Sequence, residues 1–330
     1  MGCVGGNCRI YCVVVWRGVL FVKRRFSGAI MTDVNDDHSP QNSPLNSALG
    51  QTTVYPTTYA PEVLYAITRA LGRANLTLPV EQLSIGVDWW QAFEVSWLNP
   101  QGVSQVAMAR LTIPADSPYL VESKSLKLYL NSLNFTTFAN HDALIATIAH
   151  DVSACVQAAV AVELFAVDTP NSLPLSAPQG ICIDHALDDL SPNEKVALVS
   201  DVDAGLLRAA SSTHTAKNLV QASQPQAYYS HLLRSNCPVT NQPDWGTVAI
   251  EIDSAPLVPA DLLRYILSFR AHNGFHEQCV EQIFHDLTQT FAPKSLLVRA
   301  WYTRRGGIDI NPCRVSDDSL LPAPSRLNRQ

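Results

Sequence analysis

From Glu62 onward the chain switches repeatedly between two hydrophobic rhythms. The stretches "EVLYAITRALGRAN" (62–75), "SKSLKLYLNSL" (123–133) and "HDALIATIAHDVSACVQA" (141–158) carry apolar residues every three or four positions, which predicts helices with one buried stripe. In the second of these the stripe is Leu126, Tyr129, Leu130 and Leu133. "WQAFEVSWL" (90–98) and "SQVAMARLTIP" (104–114) read as two strands joined by the turn sequence "NPQG", and "AVAVELFAV" (159–167) is a β-rich run.

The second half repeats the scheme. "GTVAIEID" (246–253) predicts a strand, and "PADLLRYILSFRAHN" (259–273) a helix with Pro259 suited to its first turn. "HEQCVEQIFHDLTQTF" (276–291) predicts a second helix and "SLLVRAWYTR" (295–304) a strand. Between the halves, roughly 168–226, lies a mixed segment with loop-like "DTPNSLPLSAPQG" and "SPNEK". This order does not alternate strand and helix, which disfavours a doubly wound parallel sheet. The expected fold class is α+β, with two related modules, each an antiparallel sheet with its helices on one face. The expected boundaries are 1–60 for an N-terminal extension, 61–180 for the first module and 181–330 for the second.

Composition narrows the function. Of 330 residues, 47% are hydrophobic and 16% charged, enough to bury a large core, and the net charge of −6 gives no electrostatic reason to bind nucleic acid. No apolar run reaches the ~20 residues that span a bilayer. Eight cysteines without framework spacing read as mostly reduced thiols in a cytoplasmic protein. Residues 1–30 lack the polarity of a signal peptide, and Met31 opens a polar stretch rich in Pro, Ser and Asn. The expectation is that Met31 is the true start and that the chain to residue 60 is flexible.

Four stretches carry candidate chemistry. In "RSNCPVTNQPDWG" (234–246), Cys237 and Asp244 suit a nucleophilic thiol and an acid/base carboxylate. They equally suit a buried loop cysteine beside a turn-forming aspartate. In "VESKSLKLY" (121–129), Glu122 and Ser123 fall at a helix start, where Ser123 is a possible cap; Lys124 and Lys127 add charge suited to a phosphate. A capped surface helix with solvated lysines explains the same residues. In "GFHEQC" (274–279), His276 and Glu277 also fall at a helix start, matching Glu122 in the first module. Val280 ends any likeness to a zinc-protease motif. In "YTRRGGIDINP" (302–312), Arg304 and Arg305 precede two glycines that permit close approach to an anion, or form an exposed hairpin. Cys182 and His185 have ligand-like spacing but do not close a zinc site, and no metal is expected.

"ESKSLKLYLNS", "SNCPVTNQPDWG", "FHEQCVEQIF" and "YTRRGGIDINP", in that order, closely resemble the NADPH-dependent 7-cyano-7-deazaguanine reductases, the QueF family, in its long two-module form. The likeness covers about residues 45–330. It implies two tandem tunnelling-fold modules, a homodimer, and reduction of a nitrile to a primary amine by two NADPH. Cys237 would form a covalent thioimide and Asp244 would move the proton. Substrate contacts would fall to Val121, Glu122, Ser123, His276 and Glu277, and cofactor contacts to Ser123, Lys124, Arg305 and Gly306. The partner implied is a small 7-deazapurine, with no direct nucleic acid and no membrane. Two alternatives stay open on the same fold: a zinc-dependent cyclohydrolase-like enzyme, and a cysteine hydrolase acting on a nitrile.

Overall fold

The computed structural model describes residues 12–16, 19–23, 55–168, 174–191, 195–196, 199–208 and 225–330. Met31, the polar stretch after it to residue 54 and most of "SPNEK" lie outside the described residues. Strands β1 (Cys12–Trp16) and β2 (Val19–Lys23) form an antiparallel hairpin of their own.

From residue 66 the elements are β3 (Ala66–Thr68), α1 (Arg69–Arg73), α2 (Val80–Leu83), β4 (Gly86–Leu98), β5 (Ser104–Pro114), β6 (Tyr119–Val121), α3 (Ser123–Ser132), α4 (His141–Val156) and β7 (Ala161–Phe165). After them come β8 (Ile181–Cys182), β9 (Gln226–Asn236), β10 (Pro243–Asp253), α5 (Pro259–Ser268), α6 (His276–Phe291), β11 (Ser295–Tyr302) and β12 (Ile308–Val315). The fold class is α+β, and the helices α3 to α6 match the sequence rhythm closely.

One difference is instructive. The helix expected over 62–75 is instead a 3-10 turn at Pro61–Val63, the strand β3 and the short helix α1. Residues 66–68 pair with Tyr119–Val121, so their backbone groups are taken by a ladder. The Thr68 hydroxyl then accepts from the Ala70 amide, capping a helix that starts only at Arg69.

Eight of the strands form one continuous sheet, ordered β7-β5-β4-β12-β11-β10-β9-β8, rather than a separate sheet for each half. The join is β12 against β4, from Ile308↔Ala92 to Arg314↔Gly86. All neighbours are antiparallel except β8 and β9. Period-two alternation sorts the faces. Leu296, Val298, Ala300 and Tyr302 of β11 join the core with α5 and α6, while Leu297 and Trp301 point to the opposite face. Ile308 and Ile310 of β12 join a second core with α3 and α4. The two cores therefore lie side by side on one face of the sheet.

The helix pairs repeat a motif. Tyr129 on α3 donates to Asp151 on α4 at 2.6 Å, and Tyr265 on α5 donates to Asp286 on α6 at 2.7 Å. Three residues after each tyrosine a serine hydroxyl accepts a backbone amide from an upstream segment: Ala60 to Ser132, and Asp203 to Ser268.

Buried charge fastens α6 to the join. Asp88 on β4 meets Arg69 at 2.5 Å and Arg314 on β12 at 2.7 Å. Glu281 on α6 meets Arg73 and Arg314, each at 2.7 Å. The shared arginine leaves neither acid alone, which matters because an unpaired buried charge costs several kcal/mol.

Gly86 opens β4 with φ +142°, and a Cβ there would lie 2.2 Å from the Cys313 carbonyl oxygen. Gly86→Ala is expected to destabilise the protein by about 2–3 kcal/mol. A urea unfolding midpoint unchanged by the substitution would contradict that close approach.

Candidate active site

The "RSNCPVTNQPDWG" stretch is the end of a β-hairpin. β9 ends at Asn236, β10 begins at Pro243, and these two residues face each other in the register. Pro243 fits the first position of a strand because its missing N–H costs no ladder bond there. The intervening turn is closed by Cys237 N–H to Gln242 carbonyl at 2.8 Å and Asn241 N–H to Cys237 carbonyl at 2.9 Å, with Asn241 at φ 53°. Cys237 therefore sits on the turn, whereas Asp244 sits on the strand and not on a loop.

The hairpin is stitched to the start of α6. Asn236 N–H donates to the His272 carbonyl at 2.8 Å, and Gly274 N–H donates to the Asn236 carbonyl at 3.1 Å. These bonds bring the thiol beside His276 and Glu277. The His276 ring stacks on Tyr302 with centroids 3.9 Å apart. Its Nε2 lies 3.2 Å from Asp244, whose same oxygen is 2.9 Å from Arg305 Nε. Arg305 also donates to the Pro243 carbonyl.

A cavity of about 280 Å³ opens between this hairpin, the starts of α3 and α6, and the turn between β11 and β12. Val121, Ser123, Lys124, Cys237, Asp244, His276, Glu277, Arg305 and Gly306 all line it. Residues from widely separated parts of the sequence are thus brought together. Sequence reasoning gave no site role to Trp90, which lines the cavity, and treated Lys127 only as general positive charge. The repeated Lys at 124 and 127, one helical turn apart, was the available signal for Lys127; Trp90 carried none.

Glu122 is placed differently. It is the N-cap of α3, with one carboxylate oxygen accepting from Lys124 N–H at 2.6 Å and the other from Ser125 N–H at 2.8 Å. Ser123 is the first helical residue and not the cap. Burial pushes the Glu122 carboxyl above its ordinary range, against the lowering pull of those amide donors. The match drawn between Glu122 and Glu277 also fails. Glu122 caps the first helix of its pair, while Glu277 is the second residue of the second helix of its pair. The position in the first half that corresponds to Glu277 is Asp142, the second residue of α4.

Glu277 is buried, and its Oε1 has no hydrogen-bond partner. Burial pushes its carboxyl up to about 7, the Asp88 carboxylate adds to the rise, and His276 and Arg69 oppose it. A buried acceptor of this kind suits a ligand that presents N–H donors.

Gly306, also in the lining, adopts φ +58°, and a Cβ there would come within 2.9 Å of Lys127 Nζ. Glycine therefore lets the turn and the lysine approach. Lys124, Lys127 and Arg305 give that end of the cavity a donor set suited to phosphates. Among the described residues, no group of three or more His, Cys, Asp or Glu side chains is placed to hold a metal. Among them, too, no helix is long and apolar enough to cross a membrane.

Comparison with known proteins identifies the family. Residues 55–164 match the family model described as the N-terminal part of nitrile reductase, 7-cyano-7-deazaguanine-reductase, and residues 243–319 match the model of QueF-like proteins. The NADPH-dependent 7-cyano-7-deazaguanine reductase of Psychrobacter cryohalolentis is 61% identical over 282 residues, covering 85% of this chain and 97% of its own. The protein of that name from Psychrobacter arcticus is 60% identical over the same shares of both chains. The one from Acinetobacter baylyi is 52% identical over 86% of this chain and 97% of its own. With both halves matched and identity above one half across nearly the whole of these relatives, the chain belongs to the 7-cyano-7-deazaguanine reductase family.

Proposed function

We propose that this chain reduces the nitrile of 7-cyano-7-deazaguanine to the primary amine 7-aminomethyl-7-deazaguanine, consuming two NADPH, in the biosynthesis of the tRNA base queuosine. The observation that carries the reading is the meeting of Cys237 and Asp244 in one cavity with Glu277 and the basic end formed by Lys124, Lys127 and Arg305. The relatives' names supply the substrate and the reductant.

The base is held by its edge. An ionised Glu277 carboxylate accepts from the ring N–H and the exocyclic amine of a guanine-like base, two donors to two acceptors. A purine lacking those donors would leave a buried acceptor unpaired at about 1–3 kcal/mol. Val121, Ser123 and His276 complete the substrate contacts. Glu122 gives both oxygens to the α3 cap and so acts by fixing Val121 and Ser123 on either side of it.

The Cys237 sulfur then adds to the nitrile carbon, forming the C–S bond of a thioimide as one C–N π bond becomes an N–H bond. Asp244 takes the thiol proton and delivers it to the nitrile nitrogen, with Arg305 and His276 holding the carboxylate in place. Ser123, Lys124, Lys127, Arg305 and Gly306 would hold the phosphates of NADPH, which would supply two hydrides for each nitrile. Sulfur suits the nucleophile's task because it adds readily and leaves again once the carbon is reduced.

On this reading the chain is two tandem tunnelling-fold modules, 61–180 and 181–330, acting as a cytoplasmic homodimer. The repeated Tyr129–Asp151 and Tyr265–Asp286 bonds support the tandem arrangement.

Incubation with 7-cyano-7-deazaguanine and NADPH is expected to oxidise two NADPH per amine formed, with the product identified by mass spectrometry. A carboxylic acid formed without NADPH oxidation would favour the hydrolase. Activity that needs zinc and a purine triphosphate would favour the cyclohydrolase.

A further inference from the structure

The buried charge cluster begins one helical turn along α6 from Glu277. Glu277 and Glu281 are one helical turn apart on α6, so both carboxylates project from the same side of that helix. Glu281 is gripped by Arg73 and Arg314 and lies 3.5 Å from Arg69 Nη1, and Asp88 bridges Arg314 and Arg69. Arg69 is 3% exposed and Asp88 is fully buried, so the pair stands outside solvent and outside the cavity lining. Two buried atoms here have no hydrogen-bond partner: Arg69 Nη1 and Glu277 Oε1. The cluster of three arginines and two acids has one surplus positive charge, and an ionised Glu277 would balance it.

We infer that Asp88 and Arg69 are positioning residues that set the charge of Glu277, and through it the pH range over which the base is bound. The inference rests on Glu277 holding the base edge, as proposed above.

The groups acting on Glu277 are Asp88 from β4, Arg69 from α1 and His276 beside it on α6. Arg314, Arg73 and Arg69 together hold Glu281 ionised against its burial, so Arg314 and Arg73 act on Glu277 through that carboxylate, and Arg69 acts both through it and directly. Cys279 of α6 and Tyr302 of β11 are kept neutral by burial, and Asp244 of β10 is paired with His276 and Arg305. Asp88 raises the Glu277 carboxyl and Arg69 lowers it. The ionised form is the one that accepts both donors of the base, so binding strengthens as pH rises through the Glu277 titration. Removing Asp88's charge must move that rise to lower pH, and removing Arg69's must move it to higher pH.

The two residues form one ion pair, so a merely structural role predicts the same effect from either loss. The opposed shifts are what separate the cases. Binding of 7-cyano-7-deazaguanine to the full chain, without NADPH and from pH 5 to 9, is measured for wild type, Asp88→Asn, Arg69→Gln and Arg69→Lys, each carrying Cys237→Ser so that no thioimide forms. The expected midpoints shift by about one pH unit, down for Asp88→Asn and up for Arg69→Gln, with Arg69→Lys near wild type. Midpoints that stay put, or that move in the same direction, overturn the inference. If Asp88→Asn or Arg69→Gln fails to fold, the comparison passes to Arg69→Lys and to Glu281→Gln. Losing the Glu281 charge would then have to lower the midpoint, and an unmoved midpoint overturns the inference. Glu277→Gln is the control for the reading beneath it. If that variant binds the base like wild type at every pH, the assignment of Glu277 fails, whatever the other variants do.

Discussion

Cys237→Ser is expected to abolish NADPH oxidation with 7-cyano-7-deazaguanine, a fall on the order of 10³-fold or more. The substitution keeps the backbone N–H and carbonyl that close the turn with Gln242 and Asn241, so the hairpin should persist. What changes is the nucleophile. A free thiol is a few per cent ionised near pH 7, with a pKa of about 8.5, whereas a serine hydroxyl is essentially never ionised there. Among the described residues, no other thiol lines the cavity. Burial pushes Cys279 and Cys313 up to about 12 and Cys155 up to about 11, and none of the three lines the cavity. Wild-type protein mixed with substrate but no NADPH should therefore gain the mass of one substrate on the peptide containing Cys237, and Cys237→Ser should gain nothing. An adduct on Cys279 instead, or full turnover by the serine variant, would remove Cys237 from the reaction.

The sequence made the four long helices legible and singled out side chains that share one cavity, but not their geometry. α3, α4, α5 and α6 declared themselves because each buries one stripe, a pattern that survives any tertiary arrangement. The 62–75 segment has the same helical rhythm and still splits into a strand and a short helix. Its pairing partner is β6, more than fifty residues away, and local periodicity holds no trace of it. The single sheet was hidden for the same reason, since β4 and β12 meet across most of the chain.

At the site, "ESKS", "SNC", "FHE" and "RRGG" pointed to polar and charged side chains that line the cavity, while its apolar lining, Ile67, Trp90, Leu120, Leu128, Ile308 and Ile310 among it, went unnamed. Two assignments needed coordinates. Glu122 and Glu277 look alike as helix-start glutamates. One is a cap whose oxygens are taken by amides; the other is a buried carboxylate with an unpaired oxygen. The difference lies in two residues of register at a helix start, beyond what spacing can resolve. The charge cluster behind Glu277 was equally invisible, because Arg69, Asp88, Glu281 and Arg314 are isolated charges in the sequence and converge only through α6 and the β4–β12 join.

Asp244→Asn is the second large effect, and it separates chemistry from recognition. General acid–base assistance is typically worth about 10²–10⁴-fold, so turnover is expected to fall within that range. Substrate affinity should change by no more than a few-fold, because the base edge is held by Glu277 and by the residues around α3. The variant keeps the shape of the side chain, and an amide oxygen can still accept from Arg305 and His276, so the melting temperature should hardly move. What asparagine cannot do is take the proton from Cys237 and give it to nitrogen. The thioimide on Cys237 should therefore form slowly or not at all when substrate is added without NADPH. If the adduct forms at the wild-type rate while turnover still drops, Asp244 acts after sulfur addition, supplying a proton to the nitrogen as the carbon is reduced. If turnover is normal, Asp244 has no role in proton transfer, and its contacts with Arg305 and His276 serve only to hold the hairpin against the start of α6.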